Sequence, residues 1–142
     1  MQEQNFKNHS QIVYSYYLMT GVPIIILIVL SIRKIINSNN EDQYWAILFL
    51  ITGWVLLTML FKSRGFALKA QDRAIRAEEN LRHFALTGKL LDKRLSIKQI
   101  IALRFASDEE FPELAQEAAE KELTNSKIKQ QIKNWRSDNY RI

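Results

Sequence analysis

The residues of this chain that could do chemistry are few, and their spacing limits what that chemistry would be. Glu79 and His83 stand four apart, so a helix puts both on one face, where a carboxylate and an imidazole can share a proton or begin a metal site. A metal needs two or three more ligands, and none can be named beside them. His9 stands alone in the N-terminal tail. Glu109, Glu113 and Glu117 line one face of an acidic helix, and paired carboxylates can exchange protons. No pocket-forming sequence surrounds them, and a solvated face helped by the helix dipole accounts for them more simply. Four glycines, none clustered, give no phosphate loop. The absence of cysteine excludes disulfides, thiolate metal sites, thiol catalysis and cysteine lipidation. The expectation is a protein that is not an enzyme, with no cofactor, no metal and no small-molecule substrate.

Charge offers recognition instead. The net +5 is laid out in blocks: basic from Lys62 to Ala106, acidic from Asp108 to Glu122 with seven carboxylates against Lys121, and basic again from Leu123 to the end. The last predicted helix carries an apolar stripe of Ile128, Ile132 and Trp135. Away from that stripe it presents Lys127, Lys129, Gln130, Gln131, Lys133 and Asn134, with Arg136 just beyond. Such side chains contact phosphates and base edges, and the tight junction from Leu123 to Asn125 gives a helix-turn-helix outline. The acidic helix before it would repel phosphate unless it faced away, and no Arg lies in the first two turns of the last helix. The preferred reading is a solvated polar face, or one docked on an acidic partner. Nucleic acid is the alternative, and anionic lipid headgroups would gain about 1 kcal/mol per Lys or Arg.

These side chains must be positioned by helices, and the chain is organised around two apolar ones. Ile12 to Ile32 runs 21 residues without a charge, long enough at about 1.5 Å per residue to cross a hydrocarbon core of about 30 Å. Tyr44 to Phe61 adds 18 uncharged residues, and reaches full thickness if Lys62 and Arg64 extend to the interface. Tyr14, Tyr16 and Tyr17 open the first, Tyr44 and Trp45 the second, as aromatic rings do at a headgroup layer. A buried core helix is disfavoured because 142 residues cannot wrap two such segments. A cleaved signal peptide is disfavoured because the apolar run is too long and no small-residue cleavage site follows. Gly21 and Pro23 predict a kink in the first segment, and Ala46 with Gly53 a close helix contact on the second. Six Lys and Arg flank the outer ends of the pair (Lys7, Lys62, Arg64, Lys69, Arg73, Arg76) against Arg33 and Lys34 in the loop, which puts both termini in the cytoplasm.

Beyond Phe61 the reading is helical throughout. A stalk over 62–88 carries a thin apolar stripe of Phe66, Ala70, Ala74, Ala77, Leu81 and Phe84 or Ala85, suited to a neighbouring helix. The pairs Asp72 with Arg76 and Glu78 with Arg82 are expected along it, with a bend at Gly65 and a stop at Thr87 and Gly88. Three short helices over 89–142 should follow, capped by Ser96, by a Ser107 and Glu110 capping box, and by a residue among Thr124 to Ser126. Arg104 is expected to pair with a carboxylate at the start of the acidic helix, Asp108 or Glu109, fixing the angle between two helices. Trp135 is expected mostly in the core with Tyr140 reaching its edge.

The runs QIIALRFASDEE from Gln99, IKQQIKNWRSDNYR from Ile128 and QDRAIR from Gln71 resemble a family of small bacterial two-span membrane proteins known only as a domain of unknown function. The resemblance covers nearly the whole chain and implies a bacterial inner-membrane protein. It carries no activity. The sequence therefore predicts an all-α protein: an N-terminal tail over 1–11, a transmembrane hairpin over 12–61, a cytoplasmic stalk and a three-helix cytoplasmic domain. Its predicted role is an accessory subunit or docking module for a larger membrane assembly. The rivals are a tethered nucleic-acid binder and a holin-like pore former, the last disfavoured because neither span has a polar face.

Overall fold

The structure is a computed structural model that describes residues 5–6, 14–38 and 40–138. Five helices account for its elements: α1 over Tyr14–Asn37, α2 over Asn40–Thr87, α3 over Ile97–Leu103, α4 over Phe111–Glu120 and α5 over Asn125–Gln131. Among the described residues there is no strand, and one isolated bridge joins Ala106 to Trp135. The chain divides into two compact units, one over Ile12–Ala67 and one containing Leu68–Ile142, and α2 contributes to both.

In the first unit, α1 and α2 are both long and apolar enough to cross a membrane. Only 17% of each apolar window is buried inside the protein, the opposite of a core helix, which hides its apolar side chains. Where Gly21 and Pro23 predict a kink, the helix holds a π-helical turn, Tyr17–Gly21. Proline has no amide to give the carbonyl four residues back and its ring crowds that turn, so a widened turn absorbs the mismatch. The Thr20 hydroxyl donates to the Tyr16 carbonyl in the same stretch. The helix also outruns its expected end at Ile32 and continues through Arg33 and Lys34 to Asn37. Its expected start, Ile12 and Val13, lies outside the described residues.

The two helices pair antiparallel. Lys34 Nζ meets Asp42 Oδ2 at 2.7 Å near the connection, and at the far end Tyr16 Oη donates to the Leu60 carbonyl at 3.1 Å. Between them Ala46 and Gly53 are buried, as their seven-residue spacing predicts. A Cβ added at Gly53 would stand 2.7 Å from Ile28 Cγ1, so this contact depends on the missing side chain.

The second unit begins inside α2. The helix continues through Gly65, because glycine in a helix interior costs only about 1 kcal/mol against alanine. The stop is where it was expected, with Thr87 last and Gly88 at φ 71°, a left-handed conformation that favours glycine. Ser96 and Gln99 then form a reciprocal capping box that opens α3, and Thr124 Oγ1 accepts from the Lys127 amide at 3.3 Å to open α5.

Two expected local motifs did not form. Ser107 does not cap α4: the cap position is Glu110, and no side chain bonds there. The Glu110 carboxylate turns instead to the amides of Lys133 and Asn134, both at 3.1 Å, and to Asn134 Nδ2 at 3.0 Å. The third helix ends at Gln131, with Ile132 already extended, so the stripe from Ile128 to Trp135 is helical only in its first part. From Ile132 on, the chain is a strap across the turn between α3 and α4. The Ser107 amide donates to the Asn134 carbonyl at 3.1 Å and the Arg136 amide to the Phe105 carbonyl at 2.8 Å.

Phe105, Phe111, Ile100, Leu103 and Ile128 are fully buried where these pieces meet, each contributing about 1.5–3 kcal/mol. Leu91, Leu95 and Ile132 extend the cluster, with Leu123 and Trp135 packed against it.

Candidate interaction surface

The polar centre of the second unit is Arg82, on the last turns of α2. Its Nε donates to Asp108 Oδ1 at 2.7 Å, Nη1 to Glu79 Oε2 at 3.0 Å and Nη2 to the Ala106 carbonyl at 2.8 Å. The guanidinium carbon stands 4.4 Å from the Phe111 ring centroid. Most of its donors are thus used, and one planar group ties α2 to the start of α4 and the turn before it. The expected pair of Glu78 with Arg82 is replaced by this arrangement, because Glu79 is buried and needs the charge more than the exposed Glu78. Sequence spacing pointed to His83 as the partner of Glu79. His83 instead holds the Lys89 carbonyl through Nδ1 at 2.7 Å and sets its ring edge-on to Phe111 at 5.7 Å.

Beside this node lies a groove of about 430 Å³ between the end of α2 and the face of α4. His83, Thr87, Leu90, Pro112, Glu113 and Gln116 are among its lining residues. Leu90 stands 67% exposed on it. Asp92, also in the lining, has its carboxyl held down to about 2 by the side-chain and backbone hydrogen bonds of Arg94. The lining therefore mixes apolar Leu90, Leu91, Pro112 and Ala115 with charges of both signs, Lys89 beside Asp92 and Glu113, and Asp92 is itself paired with Arg94. Sequence reasoning missed the groove, because separate segments of the chain come together to make it.

The predicted basic face is broken up. Lys127 and Gln130 are exposed on α5, whereas Lys129 is half-buried with Nζ 5.5 Å from the Phe105 ring centroid. Lys133, Asn134 and Arg136 fall in the strap, not on a helix. Carboxylates stand among them: Glu110 grips Lys133 and Asn134, and Glu117 receives Gln131 Nε2 at 3.5 Å and Lys121 Nζ at 2.9 Å. Lys121 holds the Glu117 carboxyl below its ordinary value, so that charge persists in acid.

Arg104 is buried, but its partner differs from the one expected. Asp108 is taken by Arg82, and Arg104 Nε lies 3.2 Å from Asp138 Oδ2, with its guanidinium carbon 4.7 Å from the Phe105 ring centroid. The angle that Arg104 fixes is between α3 and the strap. Trp135 is half-buried and packs on Phe105 with ring centroids 5.1 Å apart. Tyr140 and His9 lie outside the described residues. Among the described residues no three His, Asp or Glu come together to hold a metal.

The class these observations define is an all-helical protein with two helices able to cross a membrane and a compact helical unit after them. The chain belongs to a family of unknown function (DUF6526), which it matches over residues 1–142. No curated protein and no solved structure matches it.

Proposed function

We propose that this protein is an integral membrane docking module: the α1 and α2 hairpin inserts in a bacterial inner membrane with both termini cytoplasmic, and the helical unit holds a larger membrane assembly. The observation that carries the reading is the groove between α2 and α4. Its apolar lining at Leu90, Leu91, Pro112 and Ala115, with Lys89 and Glu113 beside it, suits an amphipathic partner helix whose apolar face is bordered by charges of both signs. The orientation rests on the six basic residues at the outer ends of the hairpin against two in its loop. A tethered nucleic-acid binder is the weaker reading, because Glu110 and Glu117 stand among the candidate phosphate contacts and would oppose a polyanion.

Purification of the full chain in a gentle detergent, with mass spectrometry of what accompanies it, is the direct experiment. A membrane protein should co-purify, and Leu90→Asp should release it without unfolding the chain, since Leu90 is exposed. The alternative is tested on the same preparation. Duplex DNA bound at physiological salt, and lost when Lys127, Lys129 and Lys133 are exchanged for Glu, would replace the docking reading. Topology is checked by reporters after Ile142, expected in the cytoplasm, and at Asn39, expected outside; both positions lie outside the described residues.

A further inference from the structure

The face of α2 opposite the Arg82 node carries a repeat that neither the core nor the groove uses. Ala70, Ala74, Ala77, Leu81 and Phe84 alternate at spacings of four and three, and all are exposed, Leu81 at 68% and Phe84 at 51%. That alternation is the a and d pattern of a two-stranded coiled coil, and over two heptads the straight helix drifts only about 40° from it. On the other side of the same helix Ile75 and Glu79 are buried and Arg82 is engaged, so the stripe is the side left open.

The flanking charges say what covers it. With Ala70 and Ala77 at d and Ala74 and Leu81 at a, Arg73 takes a g position and Glu78 the following e position. In a parallel, in-register pair these are the positions that meet across the interface, so Arg73 of each helix faces Glu78 of the other, twice by symmetry. An antiparallel partner would not bring them together. Among the described residues neither Arg73 nor Glu78 enters an ion pair. The helix is therefore complementary to itself in the one direction that two copies in the same membrane share. We infer that a second copy of this chain covers the stripe, the two α2 helices pairing in parallel and in register from Ala70 to Phe84.

The three alanines let the backbones approach closely, and Leu81 and Phe84 supply the apolar area. Two heptads are marginal for association in free solution. Confinement of both copies to one bilayer raises their effective concentration and aligns them, so the direction of pairing rests on the hairpin spanning the membrane while its register rests on the charges alone.

The natural absence of cysteine makes the test clean. The full chain in native membranes is oxidised as three single variants: Ala74→Cys, Leu81→Cys and Arg76→Cys. Facing positions a heptad apart come within disulfide reach of their own counterparts only in a parallel pair, so the first two should form covalent dimers and Arg76→Cys, on another face, only the collisional background. Equal yields at all three, or background at 74 and 81, would overturn the pairing. Arg73→Glu and Glu78→Arg should each weaken the dimer about tenfold, and the double exchange should restore it. Failure of the double exchange to restore it rejects the proposed register. Loss of the co-purifying partner in Leu90→Asp with dimers intact would separate the two surfaces, so either reading can fail without the other.

Discussion

The hairpin and the helical unit use apolar side chains in opposite ways, although both are α-helical. In the hairpin Ile25, Val29 and Phe49 are more than half exposed, and the small residues Ala46 and Gly53 are inside. In the helical unit Phe105 and Phe111 are inside at 1% and 0%, and most of its Lys and Glu are exposed. A helix pair surrounded by apolar solvent gains little from hiding large side chains and is held by close backbone approach, whereas a domain in water is held by what it removes from water. The two regions should therefore fail to different mutations.

The largest effect is expected in the core of the helical unit. Phe111→Ala removes a fully buried ring and the aromatic face under Arg82, and should cost about 3–5 kcal/mol. Hydrogen exchange on the full chain in detergent should show protection lost over α3 to α5 and kept between Tyr44 and Phe61. Arg82→Ala comes next, at about 3 kcal/mol, because it leaves Glu79 buried without its cation. Arg82→Lys should recover only part of this, since an ammonium cannot reach Asp108, Glu79 and the Ala106 carbonyl with planar geometry.

A reversal of the pattern is expected at Gly53. Gly53→Ala places a methyl 2.7 Å from Ile28 Cγ1 and should cost the hairpin about 1–3 kcal/mol of packing while the core of the helical unit stays protected. If exchange protection fell instead over α3 to α5, the close approach would not be what holds the pair.

What was legible in the sequence follows the same division. The two apolar helices, the stop at Gly88 and the cap at Ser96 are set by residues within a few positions of one another, and local patterns report them faithfully. Ser107 with Glu110 has the same local pattern as Ser96 with Gln99, yet only the second becomes a capping box. The Glu110 carboxylate had a better use, two amides and a side chain in a strap more than twenty residues away. Arg104 likewise passes over the nearby Asp108, which Arg82 reaches from α2, and meets Asp138. Where several donors compete for one carboxylate, the outcome depends on the assembled fold and not on spacing. The groove was invisible for a related reason: it is made by α2, the Leu90 connection and α4, and no one of these is unusual alone.

The smallest effect, and the sharpest contrast, is expected from acid. Asp92, Glu109 and Glu117 all have carboxyls held below their ordinary values, Asp92 and Glu117 mainly by hydrogen bonds from Arg94 and Lys121, Glu109 by its own amide and the Ser107 hydroxyl. A carboxyl with a lowered folded value binds its proton more readily in the unfolded chain. Its contribution is present above the ordinary carboxylate value, 3.8 for Asp92 and 4.5 for Glu117, and is lost as pH falls through the folded one, about 2 for Asp92. Lys121 is raised by Glu117, so its share is complete below 10.5 and fades only above that. The helical unit should therefore hold its unfolding midpoint from neutral pH to about pH 10 and lose stability progressively between about pH 4.5 and pH 2. Asp92→Asn should flatten part of that acid limb, and because these groups are exposed the loss should be modest and smaller in high salt. Between Tyr44 and Phe61 there is no acidic or basic side chain to titrate in this range. Exchange protection there should stay constant across the same acid limb, and a parallel loss in both regions would mean that they do not unfold separately.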